Sequence, residues 1–422
     1  MAPVGPAGRA GNVIPVAVGG DIGVYALLRA FHEQYGTPGI VLSAVATRAM
    51  AGSTFVTNVV VPGLDDPETL LGALEQIAAD HPGLRLVLLT NADWYVRTIV
   101  EHRERLEKHY LVPFCSLDVL ETVSSKEGFA AVCAELGIPT PRTVPVHVPD
   151  LGGSRDAVAA LEVDLTYPVV AKPSSSAEYY YVSFPGKRKI HHVESRAELD
   201  ELLGHLVDAG YPGTFLVQEL IEGDETQMRS LTAYRDTHGR VTLLATGRVL
   251  LEEHTPGTLG IPAAILTEQY EDAMEAASRF LDKAGYVGFA NFDYKWDARR
   301  GQHVYFEMNP RIGRNNYYVT AAGANPARVL VEDVVHGRQI EPVRASGEVL
   351  YTVVPVRLLM RYILDPELRK RLGAVVRRRA VVHPLRYRLD ASLGRRLTIE
   401  AMTANFWRKY RQHYPRPTPS GY

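Results

Sequence analysis

Cysteine, net charge and long apolar runs are the features that this 422-residue sequence lacks. Its two cysteines, Cys115 and Cys133, are too few for a disulfide framework or a cysteine-based zinc site. The 46 Lys and Arg residues nearly balance the 48 Asp and Glu residues, so a uniformly basic surface for nucleic acid is excluded. No apolar run approaches the roughly 18 residues of a membrane span, and the N-terminal segment does not fit a secretory signal. We therefore expect a cytoplasmic monomer or homodimer that binds no nucleic acid.

The motifs of several well-known enzyme classes are also absent. The early glycines Gly19, Gly20 and Gly23 do not fit the G-x-G-x-x-G dinucleotide pattern, and no G-x-x-x-x-G-K-[ST] phosphate loop occurs. The sequence contains neither an H-E-x-x-H zinc motif nor a G-x-S-x-G nucleophile motif. Dinucleotide, P-loop, zinc-hydrolase and serine-hydrolase chemistry of these types is therefore not indicated.

Positive charge is concentrated near the end of the chain. Residues 357–416 contain 16 Lys or Arg and 4 Asp or Glu, a net charge of +12. This stretch predicts either a solvated surface or an electropositive wall that faces an anionic substrate or a membrane. Within it, the aromatic and basic segment 406–410 predicts either a docking helix or a peripheral contact with a membrane.

The first third of the chain alternates short apolar runs with helical patterns. Val13–Val18 precedes a glycine-containing turn and an amphipathic stretch that ends at Tyr35. Further strands are predicted at 39–45 and 84–90, with a helical pattern between them. Because strands alternate with helices, the pattern favours a parallel sheet of the Rossmann type.

The most informative segment is 288–314, in which two strand patterns flank a turn. Asp293 lies on the polar face of the first strand, and Glu307 and Asn309 share that face of the second. A hairpin centred near residue 300 places Asp293 across from Glu307, where like charges repel by a few tenths to about 1 kcal/mol. A divalent cation would offset this repulsion, and Mg²⁺ prefers such oxygen ligands. The alternative is a surface hairpin with exposed charges.

Basic and acidic residues outside the hairpin's strands indicate a phosphate or nucleotide ligand. Arg311 and Arg314 follow the hairpin directly and have the geometry to donate to phosphate oxygens. Lys172 ends an apolar strand and must lie in water or against an anion, although lysines are common at strand ends without any ligand. The apolar strand around 215–218 runs into the acidic stretch 219–225, which is typical of a hinge that meets an adenine and a ribose.

Four motifs in order resemble the ATP-grasp superfamily. They are Lys126 at a helix start, VVAKP around Lys172, VQELIEGDE at 217–225, and Asp293 followed by EMNPR at 307–311. The resemblance covers roughly residues 124–335 and implies an α/β protein with an ATP-grasp fold and an N-terminal Rossmann-like domain. The implied divisions are a Rossmann-like domain at 1–123, a lid subdomain at 124–214, a catalytic subdomain at 215–345 and a basic extension at 346–422.

The resemblance also implies the cofactors and their ligands. ATP and Mg²⁺ are expected, with two metal ions and with Mn²⁺ as an alternative. The implied metal ligands are Asp293, Glu307 and Asn309, and the implied catalytic residues are Arg311, Arg248 and Arg314. The implied nucleotide contacts are Lys126, Lys172, Ser174, Ser175, Ser176, Gln218, Glu219, Leu220, Ile221 and, on the ribose, Glu225.

Within the superfamily, the runs 31–36 and 309–320 more closely resemble D-aspartate ligases. This implies that D-aspartate is activated as an acyl phosphate and joined to the side-chain amine of a nucleotide-linked muropeptide, with Tyr317 and Tyr318 shaping the acid's pocket. Asn291 stands where D-alanine–D-alanine ligases are expected to have arginine, which argues against that activity. The alternatives are an amide ligase of natural-product or small-metabolite biosynthesis, and a nucleotide-binding regulator without catalysis.

Overall fold

The chain divides into two units in a computed structural model that describes residues 12–174, 179, 181–188, 190–418 and 420–421. The first unit is formed within the ranges Met1–Ile138, Gly223–Trp296 and Glu307–Tyr422, and the second within Pro139–Glu222 and Asp297–Phe306. The four-part division expected from the sequence stays a prediction.

The first unit begins with a parallel sheet of five strands in the order β3-β2-β1-β4-β5, as the Rossmann-like prediction requires. The inner strands are buried and apolar, which is typical of a parallel sheet covered on both faces. Its strands are β1 Val13–Val18, β2 Gly39–Ser43, β3 Val56–Val60, β4 Arg85–Thr90 and β5 Tyr110–Leu111. Its helices are α1 Ile22–Tyr35, α2 Pro67–Asp80, α3 Asp93–Glu101, α4 Arg103–Leu106, α5 Leu117–Ser124 and α6 Lys126–Leu136.

The second unit contains a four-stranded antiparallel sheet in the order β6-β9-β7-β8. Leucines of one long helix pack with the valines and Phe215 of this sheet in a single apolar core. The strands are β6 Thr143–His147, β7 Val169–Pro173, β8 His191–Val193 and β9 Thr214–Glu219, and the helices are α7 Arg155–Ala160 and α8 Arg196–Asp208.

An eight-stranded sheet follows, in the order β14-β13-β10-β11-β12-β16-β17 with β15 beside β11. The predicted hairpin is present as β13 and β14, and Gly301 adopts a φ of 64° in its turn. The strands are β10 Met228–Arg235, β11 Val241–Glu252, β12 Pro262–Thr267, β13 Gly288–Asp297, β14 Gln302–Asn309, β15 Val343–Arg344, β16 Leu350–Thr352 and β17 Val381–Val382. The helices are α9 Glu271–Lys283, α10 Tyr317–Ala321, α11 Pro326–Leu330, α12 Val356–Tyr362, α13 Pro366–Arg377 and α14 Leu393–His413.

The basic C-terminal stretch is packed against α1 and the loop before β3. Buried Asp390 accepts hydrogen bonds from the Tyr25 hydroxyl and the Thr54 amide, both at 2.7 Å. The Arg395 guanidinium lies 3.0 Å from the same carboxylate, and both side chains are almost fully buried. Tyr410 on α14 is also buried, as expected for a docking helix. In the described part of the chain, no helix is long and apolar enough to cross a membrane.

We expect Asp390→Ala to lower the free energy of unfolding by about 3–5 kcal/mol, because it leaves the Arg395 charge buried and unpaired. The matched control is Arg386→Ala, which breaks the exposed ion pair with Glu400 and should cost less than about 1 kcal/mol. Urea unfolding of both variants measures the difference. Equal losses would contradict the anchoring role of Asp390.

Candidate functional site

The hairpin brings together the residues predicted to bind a metal. Asp293 on β13 accepts hydrogen bonds from the side-chain amides of Asn309, at 3.0 Å, and Asn291, at 3.3 Å. Glu307 lies on the neighbouring strand β14 with an exposed side chain, whereas Asp293 is half-buried. The side chains of Asp293, Glu307 and Asn309 therefore form one polar patch at this end of the sheet, which we call the metal patch after its predicted ligand.

The electrostatics of this patch suit a cation. Burial, followed by repulsion from Glu307, raises the pKa of the Asp293 carboxyl to about 7. In the described residues, no three His, Cys, Asp or Glu side chains are grouped to hold a metal ion. The patch instead offers two carboxylates and an amide, a donor set that leaves coordination positions for phosphate oxygens and water, as Mg²⁺ sites usually do.

Arg311 connects this patch to the Rossmann sheet. Its Nη2 donates to the side-chain oxygen of Asn309 at 3.0 Å. The same guanidinium contacts both carboxylate oxygens of Asp93, at 3.1 and 3.2 Å, at the start of α3. Arg311 is thus placed beside the predicted metal ligands by a two-pronged ion pair, a geometry that fixes the plane of its guanidinium.

Arg314 and Arg248 lie in different surroundings. The Arg314 guanidinium is 3.1 Å from Asp21 and 2.9 Å from Glu253, so two carboxylates already balance its charge. Arg248 is opposite Arg229 on the neighbouring strand, whereas Asp293 is opposite Ser230. Consecutive residues of a strand point to opposite faces of the sheet. The Arg248 side chain therefore leaves the sheet on the face opposite to that of Asp293. The structure does not bring Arg248 to the metal patch, and its phosphate role stays a prediction.

The predicted adenine hinge follows β9 in the second unit. The Gln218 amide donates to the Thr143 hydroxyl at 2.9 Å, and the Glu219 carboxylate pairs with Arg300. Ile221 is buried and Leu220 is half-buried. Lys172 lies on β7, opposite Leu216 of β9. These residues belong to a single sheet, but Glu219 is opposite Val169 at the start of β7, whereas Lys172 lies near the end of that strand. A ligand shared by the hinge and Lys172 stays a prediction.

The remaining predicted nucleotide contacts are distributed over both units. Lys126 is the first residue of α6 in the first unit, where Ser125 caps the helix. Ser174 follows β7 and donates its backbone N–H to Thr214, and Ser175 and Ser176 lie outside the described residues.

The predicted ribose ligand Glu225 is held inside the first unit. Its carboxylate accepts the Glu252 backbone N–H at 2.8 Å and pairs with His254, and only 8% of its side chain is exposed. The His254 ring stacks on Tyr414, with ring centroids 3.7 Å apart. Burial raises the pKa of Glu225. In this conformation Glu225 is engaged by protein groups, and its ribose role stays a prediction.

The two tyrosines expected in the acid pocket are core residues. Tyr318 is fully buried and donates its hydroxyl to the Ala245 carbonyl at 3.1 Å. Tyr317 is nearly buried, and its hydroxyl donates to Glu33 at 3.0 Å. Sequence reasoning missed Asp21 and Asp93, although each follows a buried strand of the parallel sheet, which is the signal that would have found them.

Comparisons with known proteins agree with this fold. Residues 125–324 match the family described as carbamoyl-phosphate synthase L chain, ATP binding domain. D-aspartate ligase of Enterococcus faecium (strain Aus0004) is 31% identical over 413 residues, which cover 95% of this chain and 96% of that protein. The carbamoyl phosphate synthase large chain of Myxococcus xanthus (strain DK1622) is 22% identical over 54% of this chain and 20% of its own.

Solved structures show the same fold at low sequence identity. L-amino acid ligase from Bacillus licheniformis has a TM-score of 0.53 at 15% identity, over 80% of this chain and 76% of that one. N5-carboxyaminoimidazole ribonucleotide synthetase from Thermus thermophilus has a TM-score of 0.53 at 21% identity, over 80% and 81% of the two chains.

Fold and relatives together define an ATP-grasp enzyme, an ATP-dependent ligase that forms C–N bonds. Because its similarity to D-aspartate ligase runs almost end to end, the chain belongs to the family of ATP-grasp carboxylate–amine ligases that contains that enzyme.

We expect Asp293→Asn to stabilise the metal-free protein by about 1 kcal/mol at pH 8 and by less at pH 5. The folded-state pKa of Asp293, about 7, exceeds the usual carboxyl value, so folding loses stability as the pH rises between these two values. Added MgCl₂ should stabilise the wild type at pH 8 and leave the variant nearly unchanged. Urea unfolding at both pH values measures this, and equal Mg²⁺ effects on the two proteins would contradict it.

Proposed function

We propose that this enzyme activates the β-carboxylate of D-aspartate with ATP and joins it to a side-chain amine of a peptidoglycan precursor, in the cytoplasm. The support for the acid is the relative in Enterococcus faecium, a D-aspartate ligase aligned over nearly its full length. The single observation that carries the chemistry is the cluster in which Asp293 and Asn309 meet the Arg311 guanidinium beside Glu307.

The proposed reaction proceeds in two steps. A carboxylate oxygen of aspartate attacks the γ-phosphorus of ATP, so that a new O–P bond gives an acyl phosphate and ADP leaves. The amine nitrogen then attacks the acyl carbon, the C–O bond to phosphate breaks, and phosphate and a proton leave as the amide forms. As in other phosphoryl transfers, the protein acts mainly by positioning the reactants and by balancing charge.

Arg311 would supply positive charge on one side of the transferred phosphoryl group. Its guanidinium offers donors to the oxygens of the transferred phosphoryl group, and its contacts with Asn309 and Asp93 hold it in place. Mg²⁺, as two ions with Mn²⁺ as a substitute, fits this set of two carboxylates and an amide: Asp293, Glu307 and Asn309 would hold it. When bound, it supplies positive charge against the phosphate oxygens.

The proposed nucleotide contacts follow the family resemblance. Lys126 and Lys172 would meet the phosphates together with the serines that follow Lys172, and Glu225 would meet the ribose. The adenine contacts would come from the hinge residues Gln218, Glu219, Leu220 and Ile221.

The basic C-terminal stretch is proposed to attract the amine acceptor, the peptidoglycan precursor, by its positive charge. Part of its charge is balanced internally, because Arg371 and Arg378 pair with Glu348. Arg369 and Arg377 on α13 are exposed. Such a surface suits a precursor that carries several phosphate and carboxylate groups.

A second candidate is an amide ligase of natural-product or small-metabolite biosynthesis. The observation that favours it is the shared fold with an L-amino acid ligase. Its metal and nucleotide residues would be the same, and only the acid and amine pockets would differ.

The first experiment is an assay with ATP, Mg²⁺ and hydroxylamine across D- and L-amino acids. Hydroxylamine intercepts an acyl phosphate without the true acceptor. A hydroxamate formed with D-aspartate alone supports the proposal, and one formed with another acid favours the second candidate. If no acid gives product even with muropeptide added, carboxylate activation by this enzyme is refuted.

Glu307→Gln should lower the rate of hydroxamate formation at least about 100-fold, because it removes one negative ligand of the metal. The matched control is Glu341→Gln, an exposed carboxylate paired with Arg240, which should keep wild-type activity. A folded Glu307→Gln protein with normal turnover would exclude the metal assignment.

Arg311→Lys should lower the same rate by roughly 10- to 100-fold, because one point charge replaces the two-pronged guanidinium. Steady-state kinetics with ATP and the acid varied separately measure the effect. Unchanged kinetics would reject a phosphate role for Arg311.

A further inference from the structure

The carboxyl ends of β1 and β4 meet at the topological switch point of the parallel sheet in the first unit. These strands are neighbours, and the strand order runs in opposite directions on their two sides. In open parallel sheets, ligands bind at such a switch point. Asp21 follows β1 and Asp93 follows β4, so two carboxylates lie at this position.

Each of these aspartates faces an arginine of the segment that follows the metal patch. Asp21 pairs with Arg314, and Asp93 with Arg311. Glu253 also pairs with Arg314, so two carboxylates already balance this arginine, whereas Arg311 faces Asp93. An amino acid carries an ammonium group and a carboxylate group, and Asp93 and Arg311 offer a group of opposite charge to each.

Asp21 is occupied by structural bonds. One of its oxygens accepts the backbone N–H groups of Gly23 and Val24, at 2.8 and 3.0 Å, and the Asn91 amide at 2.9 Å. The other oxygen lies against Arg314. This carboxylate caps α1 and has little capacity left for a ligand.

Asp93 is different in exposure and in bonding. Its side chain is 53% exposed, and within the described residues its hydrogen bonds come from Arg311 alone. A carboxylate has about four acceptor positions, so two remain for a donor from solvent or from a ligand.

We propose that Asp93 binds the α-ammonium group of the amino acid substrate and thereby selects amino acids over simple dicarboxylic acids. The inference rests on the proposed function and adds a specificity residue to it. Arg311, which Asp93 already contacts, lies between the ammonium position and the metal patch. The substrate carboxylate that reacts is thereby held on the arginine that faces the phosphate.

The test compares D-aspartate with succinate, which has the same carboxylates and no ammonium group. In Asp93→Asn, the KM for D-aspartate in the hydroxylamine assay should rise about 10- to 100-fold, the loss expected for a hydrogen bond to a charged group. The inhibition constant of succinate should change less than about threefold. Asp93→Glu should restore part of the affinity for D-aspartate.

The matched control is Asp118→Asn, which alters an exposed aspartate in the first turn of α5 and should leave both constants unchanged. Equal weakening of D-aspartate and succinate, or a fall in kcat alone, would mean that Asp93 acts only through Arg311 and would overturn the proposal. An unchanged KM for D-aspartate would overturn it as well.

Failure of the proposed function gives a different result, because the wild type would then form no hydroxamate from D-aspartate. In that case calorimetric titration of D-aspartate into wild type and Asp93→Asn decides the inference. Weaker binding by the variant supports it, and equal binding or none by either protein overturns it.

Discussion

The repulsion between Asp293 and Glu307 is the constraint to which the rest of the site responds. The hairpin holds the two carboxylates on neighbouring strands, and amide groups from Asn291 and Asn309 donate to Asp293 in partial compensation. Nearby Lys295 is buried and donates to the Gly223 carbonyl at 2.7 Å. Carboxyl groups with perturbed pKa values cluster at functional sites, which supports the proposed metal-binding role of this pair.

The segment after β14 connects the metal patch to the loops of the Rossmann sheet. Arg311 and Arg314, three residues apart, each pair with an aspartate that follows a parallel strand. The metal patch and the switch point thus share one short stretch of backbone. The residues proposed for phosphate chemistry and those proposed for recognition of the acid consequently lie next to each other within a single unit.

Local periodicity predicted much of this molecule. The strand β1, the helices α1 and α6 and the β13–β14 hairpin follow from residue patterns within ten to twenty positions. The Asp93–Arg311 pair spans 218 residues, and no local pattern encodes it. The burial of Glu225 also depends on distant groups, because His254 and the chain near Tyr414 cover it. Strand β10 was not predicted, since Arg229 and Arg235 interrupt its apolar pattern.

The tight contact between Gly23 and Arg314 has a consequence for protein engineering. A Cβ atom on Gly23 would lie 2.6 Å from the Arg314 carbonyl oxygen and 2.7 Å from its Cα, so these two backbones touch with no room for a side chain. If only the Rossmann-like part were replaced by that of a relative, the new loop after β1 would therefore not fit against the backbone of Arg314. A chimera designed to test the proposed acid site must carry the loops after β1 and β4 together with the segment 309–316.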